Sequence, residues 1–101
     1  MNINLKATNL ELTSVIKDQI QEKIGTLDKY FDNIQQVDVE VGVITTNQNK
    51  GSIYFCEVNL SVPKKLLRFR KEFEDINKAI NEAGKGIKRE ITKDKEQMRD
   101  K

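Results

Sequence analysis

The sequence predicts an α+β fold of order βαβββα, a four-stranded sheet with two helices on one of its faces. Three observations lead there. Hydrophobic spacing changes from period two to period 3.6, back to two, and then to 3.6 again. Turn and breaker residues, "TNQNKGS" and Pro63, separate successive alternating runs. A chain of 101 residues has room for one modest core, so a single domain over residues 1–101 is expected.

The first strand is read from "NINLKA", where Ile3, Leu5 and Ala7 share one face and Asn2, Asn4 and Lys6 the other. The period then lengthens in "TSVIKDQIQEKIGTLDKYF". Ile16, Ile20, Ile24, Leu27 and Phe31 step by four and three, and Thr13 can cap the helix they define. Alternation returns in "IQQVDVEVGVITT" through Val37, Val39, Val41 and Val43, and "TNQNKGS" supplies a turn.

In "IYFCEVNLSV", Tyr54, Cys56, Val58, Leu60 and Val62 share a face against Glu57, Asn59 and Ser61. Pro63 has no N–H to give a ladder and closes that strand. The fourth strand is "KKLLRFRKEF", with Leu67 and Phe69 inward and Arg68 and Arg70 outward. Ile76, Ile80, Ala83, Ile87 and Ile91 then form a helical stripe, with Glu74 and Asp75 near the positive end of the helix dipole. A helix from about 75 to 98 would run roughly 36 Å. The strand–helix–strand unit implies a parallel crossover, and the later strands a meander.

Composition narrows the functions. There is no His, and Cys56 is the only cysteine, so an internal disulfide, a zinc cluster and a Ser/His or Cys/His nucleophile pair are all excluded. On an apolar strand face Cys56 reads as a small core residue. Asp38 and Glu40 read as solvated strand positions rather than an acid–base pair. Neither a cofactor nor a small-molecule substrate is indicated. With no long apolar run and no basic, apolar leader, a cytoplasmic chain without a membrane partner is expected.

Charge is unevenly distributed. Residues 1–62 carry five Lys/Arg against eight Asp/Glu, a net −3, whereas residues 63–101 carry thirteen against eight, a net +5. An acidic partner is therefore sought at the C-terminal part. On a helical wheel with Lys85 at zero, the apolar stripe lies at about 160 to 240°. Lys85, Lys88, Arg89, Lys93, Lys95 and Arg99 fall at about 280 to 80°, almost opposite.

Lysines commonly do no more than solvate a long helix, and Glu96 and Asp100 dilute this arc. A rigid row of cations also suits a phosphate backbone, since each neutralised phosphate releases counterions. "PKKLLRFRK" adds Lys64, Lys65, Arg68, Arg70 and Lys71. These fit edge-strand protection, or pairing of Glu57 with Arg68 or Arg70. Taken with the helix, they predict one continuous basic surface. Among Tyr30, Phe31, Tyr54, Phe55, Phe69 and Phe73, alternation leaves Phe55 as the clear outward candidate for base stacking. Gly84 and Gly86 stand inside the second helix, where each costs about 1 kcal/mol relative to Ala, and a bend or close packing is the expected reason.

Several segments resemble the short form of the ribosome hibernation-promoting factor family, also known through the ribosome-associated inhibitor and the ribosomal subunit interface protein and within the sigma-54 modulation protein family. They are "INL", "LELTSVIKDQIQEKI" leading into "LDKYFDNIQQVDV", "CEVNLSVP" and "AINEAGKGIKREITKDKEQM". "KYFDNIQQV" and "IKREITKDKE" are the most telling, and the resemblance covers nearly the whole chain. It implies a fold similar to double-stranded RNA-binding domains. It also implies binding to the small ribosomal subunit in the channel used by messenger and transfer RNA, and hibernation of ribosomes under starvation or in stationary phase, with no catalysis and no cofactor.

The family's contact with ribosomal RNA through basic residues falls here on Lys85, Arg89, Lys93 and Lys95, with Lys88 and Arg99 added from the wheel and Lys23 from the first helix. Lys64, Lys65, Arg68 and Arg70 complete the candidates. Two departures stand out. "DINKAI" has Asn77 where the family often has Tyr, and the fourth strand is basic where the family is often acidic or neutral. Off the ribosome a monomer is expected. With no second domain after Lys101, joining ribosomes into dimers is expected to need another protein. Two other readings remain open at this point, a general double-stranded RNA-binding module and a protein-interaction domain for an acidic partner.

Overall fold

In the computed structural model, residues 2–29, 31–45 and 51–99 are described, apart from the side chains of Thr45, Met98 and Arg99. Met1, Tyr30, residues 46–50 of the expected turn, Asp100 and Lys101 lie outside them. The elements follow the expected order: β1 Ile3–Thr8, α1 Ser14–Lys23, β2 Gln36–Thr45, β3 Ser52–Val62, β4 Lys65–Phe73 and α2 Ile76–Arg99. The sheet order is β1-β2-β3-β4, with β1 parallel to β2 and the other two pairings antiparallel.

One apolar cluster joins both helices to the same sheet face. It contains Ile16, Ile20 and Ile24, the strand residues Val37, Val39, Val41, Cys56, Val58, Leu60 and Leu67, and Ala79, Ile80, Ala83, Ile87 and Ile91 of α2. Each large aliphatic side chain buried there contributes about 1.5 to 3 kcal/mol. Cys56 sits fully inside it. Burial, and secondarily the nearby Glu57 charge, pushes its thiol up to about 12, so it stays protonated and inert at neutral pH.

The first helix is shorter than its apolar stripe. Thr13 caps it as expected, its hydroxyl accepting from the Ile16 N–H at 3.2 Å. It ends at Lys23, and Leu27–Lys29 form a separate 3-10 turn. The Ile24 and Gly25 N–H groups both donate to the Ile20 carbonyl, and the Thr26 hydroxyl donates to the Glu22 carbonyl. Those bonds close the helix end. Leu27 and Phe31 are still buried, because the spacing tracked the core-facing side of the chain rather than helical continuity.

Strand four has the expected register. Leu67 pairs with Leu60 and faces the core, while Arg68 and Arg70 face away beside Asn59 and Glu57. Pro63 and Lys64 make a two-residue turn between β3 and β4, in which Lys64 adopts φ 67°. A left-handed backbone at a lysine is strained.

Both helical glycines are explained by close packing. A Cβ on Gly84 would lie 3.0 Å from the Lys23 carbonyl oxygen of α1, and one on Gly86 would overlap the Phe69 ring of β4. Bare backbone at these two positions lets α2 seat against α1 on one side and β4 on the other.

Candidate nucleic-acid interface

The apolar stripe of α2 faces the sheet, so its opposite face is held in solvent by the same packing. Lys85, Lys88, Arg89 and Lys93 are all exposed there. With Thr92 they line a shallow depression along the outer flank of the helix. Lys85, Arg89 and Lys93 recur at intervals of four and form one row. None of these three makes an ion pair among the described residues.

Lys23, whose Nζ lies 3.8 Å from Glu22, stands beside this group. The close approach permitted by Gly84 leaves a groove of about 370 Å³ between α1 and α2, lined by Glu22, Lys23, Thr26, Asn81, Lys85 and Lys88 among others. Cations from two elements therefore meet along one channel. Thr92 and Asn81 were not among the sequence candidates. At about 340° on the wheel, Thr92 sits in the middle of the basic arc and was legible there. Asn81 required knowing where α1 packs.

Other candidates stand elsewhere. Lys64 is exposed at the strained turn. The Lys65 Nζ lies 2.9 Å from Asp94 of α2. Lys95 leans to Asp32 at 3.9 Å, its Nζ 5.0 Å from the Phe31 ring centroid. The Arg99 side chain lies outside the described residues.

Arg68 and Arg70 do not extend the helix surface as expected, because strand alternation turns them to the opposite side of the sheet. There they are interlocked. The Arg68 Nε donates to Asn59 at 2.9 Å, and the Arg70 Nε donates to Glu72 at 3.0 Å while its guanidinium lies 3.7 Å from Glu57. Of the two pairings weighed for Glu57, the one with Arg70 forms. The rest of that face is a ladder of the same kind. Asn4 and Gln36 donate to Asp38, Thr8 donates to Glu40, and Asn59 donates to Glu57.

Phe55 also faces that side but is only 5% exposed, which corrects its reading as a stacking platform. Its ring lies over Gly42, where a Cβ would come within 2.6 Å, and the Arg70 guanidinium covers it 4.1 Å from the centroid. The ring is therefore covered and does not offer a free face to a base. Among the described residues, no group of three or more His, Cys, Asp or Glu is placed to hold a metal ion, and no helix is long and apolar enough to cross a membrane.

Residues 3–99 match the family described as Sigma 54 modulation protein / S30EA ribosomal protein. A ribosome hibernation promotion factor of Bacillus subtilis is 34% identical over 95 residues, covering 94% of this chain and 49% of that protein. A ribosome hibernation promoting factor of Azotobacter vinelandii is 30% identical over 98 residues, covering 97% of this chain and 86% of its own. The chain thus spans about half the length of the Bacillus relative and of similar ones from Lactococcus and Deinococcus. Among solved structures, a ribosomal subunit interface protein from Coxiella burnetii shares the fold with a TM-score of 0.79 at 14% identity, over 94% of this chain and 98% of that one. The Thermus thermophilus Protein Y N-terminal domain aligns with a TM-score of 0.72 at 26% identity, over 92% and 98%.

Proposed function

We propose a function from one established premise: this chain belongs to the Sigma 54 modulation protein / S30EA ribosomal protein family. It acts as a ribosome hibernation factor. It binds the small ribosomal subunit in the channel used by messenger and transfer RNA and inhibits translation by occupying it. Attachment is to ribosomal RNA, through Lys85, Lys88, Arg89 and Lys93 of α2 with Lys23 across the groove. It works in the cytoplasm, as a monomer off the ribosome, without catalysis or a cofactor. A double-stranded RNA-binding-domain-like arrangement, with helices rather than the sheet facing the RNA, suits this reading.

The observation that carries it is the row of Lys85, Arg89 and Lys93, unpaired among the described residues and held on a rigid helix. Arg70 of β4, by contrast, is matched by Glu57 and Glu72. A row without such matches is arranged for an external polyanion.

Co-sedimentation with ribosomes through a sucrose cushion tests it, at low and moderate salt, with and without transfer and messenger RNA. Saturable binding to the small subunit, displaced by those RNAs, is the expected result. If about five phosphates are contacted, log affinity falls with log salt at a slope near −3.5 to −4.5. Equal affinity for any A-form duplex would instead make the chain a general double-stranded RNA binder. Binding that survives nuclease treatment would point to an acidic protein partner.

A further inference from the structure

RNA contact does not account for the charged seam where α2 leaves the core. Among the described residues Ile91, 3% exposed, is the last of the buried stripe. The next position on that side of the helix, at about 180° on the wheel, is Asp94. Its side chain is only 14% exposed and borders an apolar dimple lined by Phe31, Ile34, Val62, Pro63 and Ile91. A carboxylate there is partly withdrawn from water and gains from a partner. Lys65, the first residue of β4, supplies it at 2.9 Å. The following residue, Lys95, leans towards the segment after α1, to Asp32 and over Phe31.

The geometry points to Lys65 and Lys95 as positioning residues that clamp the distal turns of α2 from two sides, with Asp94 as the acid that Lys65 holds. This rests on the proposed RNA-binding role of the helix face. Among the described residues no side chain of α2 beyond Ile91 is buried in the core, and helix termini fray when nothing ties them down. Clamped, the last turns keep Lys93 in line with Lys85 and Arg89. Unclamped, only a fraction of molecules present the full row, and apparent affinity falls by that fraction.

The clamp predicts a sign opposite to that of simple charge. Removing an acid from a basic surface should strengthen RNA binding. For D94N the expected result is weaker binding to purified small ribosomal subunits, by about threefold. It comes with faster amide hydrogen exchange at residues 92–97 and unchanged exchange at residues 80–91. The charge-swapped double variant K65E/D94K restores both readouts without altering net charge. Tighter binding by D94N, or exchange at residues 92–97 equal to that of the unmodified chain, overturns the clamp. If the unmodified chain does not bind the subunits, the proposed function fails. Exchange alone then decides: faster exchange at 92–97 in D94N upholds the clamp, and unchanged exchange overturns it.

Discussion

The two sides of the sheet carry the same kinds of cation in different chemical situations. On the open side, Arg70 is matched by Glu57 and Glu72, and Arg68 donates through its Nε to Asn59. On the helix side, Lys85, Arg89 and Lys93 face solvent with no acid paired to them among the described residues. Charge density along the chain did not separate the two groups. The density of acceptors around each cation does, and it marks the second group as available to a partner.

Removing two cations from each side is the most direct way to break this contrast. Lys85→Ala with Arg89→Ala is expected to weaken ribosome binding on the order of 30-fold and to flatten the salt slope by about 1.5 to 2. Its melting temperature should stay close to that of the unmodified chain. Arg68→Ala with Arg70→Ala is expected to do the reverse, costing about 1 to 2 kcal/mol of stability by leaving Glu57 and the Phe55 ring uncovered. Binding by this variant should stay within about threefold. Parallel sedimentation and denaturant titrations would check both, and equal binding losses on the two sides would abolish the distinction.

Phe55→Ala sharpens the same contrast at one residue. The ring is buried on the open side over Gly42, so its loss should cost about 2 kcal/mol in a urea titration, less than a deep core phenylalanine because that face can collapse. Ribosome affinity should not change. A binding defect at full stability would return the open face to the RNA.

The smallest expected effect is at the strained turn. Lys64→Gly relieves a left-handed lysine, and the release of strain should exceed the added chain entropy, raising stability by about 0.5 kcal/mol. A fall in ribosome affinity alongside that gain would place Lys64 among the contacting cations. Unchanged affinity would leave it as a turn residue.

Much of this was legible in the chain itself. Period two and period 3.6 located every strand and helix, since each reports which side of an element meets the core. The same logic put Lys85, Lys88, Arg89 and Lys93 opposite the stripe. It misjudged the end of α1, because Ile24, Leu27 and Phe31 stay buried across a break that carbonyl sharing and the Thr26 hydroxyl create. Charge clustering along the chain also joined Arg68 and Arg70 to the helix surface, although strand alternation turns them away from it. Asp94 left a sign that went unused, a charge standing on the apolar arc.

By itself the sequence determined the order of elements, the inward and outward faces of each, and the excess of cations on the solvent side of α2. These are one-dimensional properties, set by local periodicity and by the residue types placed on it. Only the tertiary structure decided which charges are matched, because a partner such as Asp94 for Lys65, or Asp32 for Lys95, lies far away along the chain. It also decided why Gly84 and Gly86 are glycines. The atoms that would meet their side chains belong to α1 and β4, and only packing brings those atoms there.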